Sequence, residues 1–94
     1  MTKKDIIRTV YEGSAIDQKT VQAAVQMLLD KVVDAIATES RLELRGFGVF
    51  EVKRRAARTA RNPRSGESVE VPEKYVVTFS PGKEMQQRIN GRRP

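Results

Sequence analysis

The stretch RLELRGFGVFEVKRRAARTARNPRSG, residues 41–66, decides how this chain is read. Leu42 and Leu44 alternate with Arg41, Glu43 and Arg45, the period of a half-buried strand. Gly46-Phe47-Gly48 makes a tight turn into Val49-Phe50-Glu51-Val52, the return strand. That strand does not stop at Val52. Residues 53–61 continue without Gly or Pro, but their side chains are Lys, Arg, Ala and Thr. Asn62-Pro63-Arg64-Ser65-Gly66 is a strong turn signal. Val69 and Val71 then alternate with Ser68 and Glu70 in a returning strand. Residues 53–75 are therefore predicted as a two-stranded ribbon arm with little to bury. Each leg of about nine residues reaches roughly 30 Å at about 3.3 Å per residue. Such a ribbon is marginal in water until a partner orders it.

Working outward, Thr2 is an N-cap with Asp5 three residues on, and Ile6, Ile7, Val10 and Tyr11 recur at helical spacing. Gly13-Ser14 ends this first helix, and Asp17 caps a second. Val21, Val25, Leu28, Val32 and Ile36 form its stripe; Ala24, Met27, Leu29, Val33 and Ala35 widen it. That sector is too broad for a helix buried on one side, and it implies a second chain. On the far side of the arm, Tyr75, Val77 and Phe79 return the chain to a core. Ser80-Pro81-Gly82 breaks the strand, and Lys83 to Ile89 suit a last short helix, followed by a frayed basic tail at residues 91–94. The expected class is α+β: two N-terminal helices, an antiparallel sheet extended into a long β-ribbon arm, a short C-terminal helix and an intertwined dimer. The whole of 1–94 is one domain, with 1–52 and 76–94 as dimer body and 53–75 as arm. Without the arm the body is marginal alone, and dimerisation is a usual remedy. Val25, Leu28, Leu29, Val32, Leu44, Phe47, Phe50 and Phe79 are the expected interface.

Charge narrows the partner. Net charge is +6, but residues 1–52 hold seven basic and eight acidic side chains, a net of −1. Residues 53–94 hold eleven basic and four acidic, a net of +7. Between Lys53 and Arg64 lie six basic residues and no acid. This asymmetry calls for a polyanion, either nucleic acid or an anionic membrane. A membrane-surface segment wants a basic amphipathic helix, and this run has neither helical caps nor helical period. Both faces of the first leg are basic, with Lys53, Arg55 and Arg61 on one parity and Arg54 and Arg58 on the other. A flat membrane would need one charged face; a ribbon enclosed by phosphates uses both. Single-stranded RNA readers need stacking aromatics, and the arm has none before Tyr75.

There is no cysteine and no histidine. Thiolate or imidazole metal sites and His-based nucleophilic triads are thus excluded. No acidic cluster has metal-ligand spacing. An enzyme is not expected, nor a cofactor, a metal, a small-molecule substrate or a membrane partner. No apolar run of 18 residues exists to span a bilayer, and no secretory signal is read at the start.

Three motifs carry a family resemblance. They are Arg45-Gly46-Phe47-Gly48-Val49-Phe50, the arm-tip run Ala57-Arg58-Thr59-Ala60-Arg61-Asn62-Pro63-Arg64-Ser65-Gly66-Glu67, and Phe79-Ser80-Pro81-Gly82-Lys83-Glu84. Together, in order and at matching spacing, they resemble the HU and integration host factor family of bacterial DNA-bending proteins over essentially the whole chain. Glu43-Leu44-Arg45, Lys74-Tyr75-Val76 and the Thr2-Lys3 start lean towards its beta-type integration host factor subunits. Ala60 departs from a position that is usually glycine, and residues 91–94 match no motif of the family.

The resemblance implies a histone-like protein that binds the minor groove of double-stranded DNA with its arms and bends the duplex. It implies a homodimer, or a heterodimer with a related subunit, and a cytoplasmic, nucleoid-associated location. A second version of the same reading is a site-preferring subunit that needs a different partner chain. Pro63 at the arm tip would be the wedge between base pairs: rigid, apolar and without an N–H to satisfy. Arg61, Asn62 and Arg64 flank it, the arginines suited to a narrowed groove. Lys53, Arg54, Arg55, Arg58 and Lys74 would line the arm. Lys3, with Lys4, and Lys83 at helix starts, and Gly46 and Gly48 through close backbone approach, would meet flanking phosphates. Arg45, braced by Glu43 two residues earlier on one strand face, would confer site preference.

Overall fold

The computed structural model describes residues 1–92; the part of the basic tail formed by Arg93 and Pro94 lies outside the described residues. The element order is α1 (Lys3–Glu12), α2 (Gln18–Glu39), β1 (Arg41–Leu44), β2 (Gly48–Arg55), β3 (Arg58–Arg61), β4 (Ser68–Val71), β5 (Lys74–Pro81) and α3 (Lys83–Asn90). The α+β class and the order of elements agree with the sequence reading. The chain divides into two compact units, Met1–Asp34 and the remainder from Ala35 onward.

In the first unit, the backbone N–H of Thr2 donates to Asp5 Oδ2 at 2.9 Å, satisfying an amide that the start of α1 would leave bare. Gly13 ends α1, its N–H donating to the Thr9 carbonyl at 3.1 Å. At the start of α2, the Thr20 hydroxyl donates to Asp17 Oδ1 at 2.5 Å. That bond, with backbone N–H donors, holds the Asp17 carboxyl below its ordinary value of 3.8.

In the second unit, Ser40 terminates α2 with φ +62°, and its N–H donates to the Ile36 carbonyl at 3.0 Å. The Ser40 carbonyl accepts from the Val52 N–H at 2.8 Å, tying the helix end to β2. β1, β2 and β5 form an antiparallel sheet with β2 in the centre, and β3 and β4 form a second, two-stranded sheet. The rings of Phe50 and Phe79, which are cross-strand partners, have centroids 4.8 Å apart, and Phe47 lies 5.6 Å from Phe79. This aromatic cluster is the apolar centre of the sheet.

Little else is buried. Among the described residues, Ile7, Val21 and Ile36 are the buried hydrophobic side chains. Val25, Val32, Leu44 and Phe50 are half-buried. Leu28 is 61% exposed, Val33 64%, Phe47 46% and Phe79 40%. The predicted α2 stripe is therefore covered at its ends and largely open between them. Tyr75 and Val77, expected to return to a core, are exposed too.

The arm departs from the sequence reading in one respect. The first leg is not one continuous strand: pairing lapses at residues 56–57 and, opposite, at 72–73. Pro72 gives the reason, because it has no N–H to offer the ladder. No residue is inserted, however. Arg55 pairs with Lys74 before the gap and Arg58 with Val71 after it, so both legs skip two residues and the register is kept.

Candidate nucleic-acid interface

The register places the charges. Cross-strand partners share a face of a ribbon. Arg55 stands directly opposite Lys74, with Lys53 two residues behind on the same side. Arg61 is of that parity beyond the gap, paired with Ser68. Like charges directly opposite one another destabilise a free ribbon. The other face carries Arg54 opposite Tyr75, and Arg58 opposite Val71. There the Glu73 carboxylate holds Arg54, Nη2 to Oε2 at 3.1 Å. The sequence reading singled out Lys74 and Arg55 separately and missed both their apposition and the Arg54–Glu73 pair. Counting back from the turn, with Asn62 opposite Glu67, would have revealed the first.

The tip is closed by the Asn62 N–H donating to the Glu67 carbonyl at 2.8 Å and the Gly66 N–H donating to the Asn62 carbonyl at 2.7 Å. Gly66 takes φ +75°, a conformation suited to glycine. The Arg64 N–H donates to Asn62 Oδ1 at 2.9 Å. This uses the acceptor end of the Asn62 side chain and leaves its amide N–H groups as donors. Pro63 and Arg64 are exposed at the apex, and Arg61 and Asn62 are exposed beside it. The four tip residues singled out in the sequence are thus brought together.

At the other end of β2, the Phe47 N–H donates to the Leu44 carbonyl at 2.9 Å, and Gly46 takes φ +83°. Arg45, Gly46, Gly48 and Gly82 line one concavity of about 410 Å³ together with Glu43, Leu44 and Val49. The Gly82 N–H donates to the Phe47 carbonyl at 2.8 Å, so the start of α3, with Lys83, is tied to this turn. Gly48 is buried, and a side chain there would meet the Phe79 ring and the Ser80 carbonyl; packing alone demands glycine. The expected Glu43–Arg45 brace is not formed. Glu43 Oε1 lies 3.6 Å from Arg41 Nη2, and Arg45 is exposed without an ion pair among the described residues. The reason is local: β1 ends at Leu44, so Arg45 sits in the turn, while Arg41 is the residue two before Glu43 within the strand.

In the first unit, Lys3, Lys4, Arg8 and Lys19 line a cavity of about 720 Å³ between α1 and α2. Lys3 Nζ donates to Gln26 Oε1 at 2.6 Å. Among the described residues, no three or more acidic side chains cluster as metal ligands, and no helix is long and apolar enough to cross a membrane.

Comparison with known proteins gives this geometry a context. The family model described as bacterial DNA-binding protein matches residues 1–90. Integration host factor subunit beta of Saccharophagus degradans is 45% identical over 91 residues, covering 96% of this chain and 93% of that protein. The subunit of the same name in Burkholderia cenocepacia is 46% identical over 95 residues, covering 98% and 87%. Among solved structures, Anabaena HU in a cocrystal with DNA superposes with a TM-score of 0.84 at 30% identity, covering 98% of this chain and all of that one. A variant HU from Thermotoga maritima gives 0.68 at 25% identity. With a family model spanning nearly the whole chain, and relatives at about 45% identity along its length, this chain belongs to the bacterial DNA-binding protein family of HU and integration host factor.

Proposed function

We propose that this chain is an architectural DNA-binding protein that works as a dimer, enters the minor groove with its arms and bends the duplex. The observation that carries the reading is the ribbon face on which Lys53, Arg55 and Lys74 share one side, the last two in direct apposition, with Arg61 of the same parity beyond the gap. This arrangement is costly in isolation and is relieved by a polyanion laid along it. The family is one of architectural DNA-binding proteins and not of enzymes, and the Anabaena relative was crystallised with DNA.

Residues 53–75 act as the arm, and 1–52 with 76–94 as the dimer body. Lys53, Arg55, Arg58, Arg61, Arg64 and Lys74 meet phosphates. Asn62 offers its free amide donors to the acceptors on the groove floor, which distinguish A·T from G·C poorly. Pro63 wedges at a base step, as apolar side chains do in minor-groove architectural proteins generally. Arg45, Gly46, Gly48, Lys3 and Lys83 serve the flanking duplex; these contacts position it and carry little sequence information, with Arg45 as the exception that biases site choice. Val25, Leu28, Leu29, Val32, Leu44, Phe47, Phe50 and Phe79 are covered by a second chain, either identical or a related subunit. The apolar surface left open on α2 and the sheet supports that need. A cytoplasmic location on the nucleoid follows from the same reading.

The test is equilibrium binding to a labelled duplex of mixed sequence over a salt series. Log affinity should fall linearly with log salt, by about 0.9 per phosphate neutralised. Absent or salt-insensitive binding rejects the proposal.

A further inference from the structure

The ladder of the arm is open over residues 56–57 and 72–73, and one ion pair sits at that opening. Arg54 is the penultimate residue of β2, anchored in the three-stranded sheet through its pairing with Tyr75. Glu73 lies in the gap itself, one residue before β5 and next to Pro72. The two side chains meet at 3.1 Å. Among the described residues this is the one ion pair within the arm. Pro72 has a fixed φ and confines Val71 before it to an extended backbone. Holding Glu73 therefore holds the last residue of β4, Val71, at the base of the tip hairpin that carries Arg61 to Arg64.

We propose that Glu73 is a positioning residue: by gripping Arg54 across the gap it sets the direction in which the tip leaves the sheet. Arg54, the cation next to the gap, braces the arm and does not bind phosphate. The face that carries Arg54 then presents Arg58 alone to DNA, and the phosphate-binding set is the opposite face, with Arg55 and Lys74, together with the tip. This rests on the DNA-binding reading above, but the brace itself is a property of the free protein.

Electrostatics alone and the brace predict different outcomes for one substitution. Removing an acid from a DNA-binding arm should tighten binding. If Glu73 is the brace, Glu73→Gln instead loosens the tip and lessens the bend. Solvent exchange of the β3 and β4 amides, followed by NMR on the free full-length protein, should speed by about 2–5-fold in Glu73→Gln and in Arg54→Gln alike. An end-labelled duplex should then be shortened less by either variant than by wild type. The exchanged pair Arg54→Glu with Glu73→Arg should restore both readouts. Unchanged tip exchange in the single variants overturns the proposal. So does faster exchange with an undiminished bend, or a Glu73→Gln protein that binds DNA more tightly with its tip unaffected. If wild type neither binds nor shortens the duplex, the DNA reading fails, and the exchange measurement still decides the brace.

Discussion

Gly48→Ala is a severe test of how the sheet is packed. An ideal Cβ on Gly48 would lie 2.5 Å from Phe79 Cζ and 2.6 Å from the Ser80 carbonyl oxygen. Neither neighbour can yield cheaply. Ser80 is held in the ladder as the partner of Val49. The Phe79 ring can move only by leaving Phe50 and Phe47, at centroid distances of 4.8 and 5.6 Å. Each aromatic pair is worth about 0.5–1.5 kcal/mol, and overpacking a filled site costs about 1–3 kcal/mol. The losses overlap, so the expected destabilisation is about 2–4 kcal/mol. At about 4–8 °C per kcal/mol for a domain of this size, the midpoint should drop by about 10–30 °C. Thermal unfolding should be followed at fixed protein concentration, because the stability of a dimer depends on it. Gly66→Ala is the control: it adds the same methyl group in open space at the arm tip, where its φ of +75° costs only local strain, and it should leave the global midpoint in place. A Gly48→Ala protein melting within about 2 °C of wild type would refute the packing argument.

Other consequences are as direct. Ser40 holds φ +62° at the end of α2, so Ser40→Gly should raise stability by about 0.5–1 kcal/mol in denaturant titration; a loss would mean that its left-handed conformation costs nothing. The Thr20 hydroxyl is the largest cause of the lowered Asp17 pKa. Because the folded value is depressed, Asp17 stabilises the fold above its ordinary pKa, and that contribution is lost as pH falls through the lower folded value. Thr20→Val should raise the Asp17 pKa in an NMR titration; an unmoved titration would remove the hydroxyl as its cause. Arg45→Ala should flatten relative affinities across a panel of duplexes, whereas unchanged ratios would leave Arg45 no role in site preference.

Much of the fold was legible because its signals are local. The period-two run at Leu42 and Leu44, the Gly46-Phe47-Gly48 turn and the Asn62-to-Gly66 tip each act through a few neighbouring residues. The caps at Thr2 and Asp17 are equally local. What escaped depends on register. The break opposite Ala56-Ala57 is caused by Pro72 on the other leg, sixteen residues from Ala56 along the chain. Arg55 and Lys74 meet only because the register survives that break. Glu43 prefers Arg41 to Arg45 because the strand ends at Leu44, a boundary that alternation alone does not mark. The open surfaces of Leu28 and Val33 were anticipated from the breadth of the α2 stripe and the small size of the body.

In the proposed function, a rigid apolar tip converts arm binding into a bend. The most direct measurement is the end-to-end distance of a doubly labelled duplex at saturating protein, wild type against Pro63→Ala. Wild type should shorten the distance, and Pro63→Ala should still bind, with an unchanged salt slope, but shorten it less. Equal shortening by both proteins would contradict it.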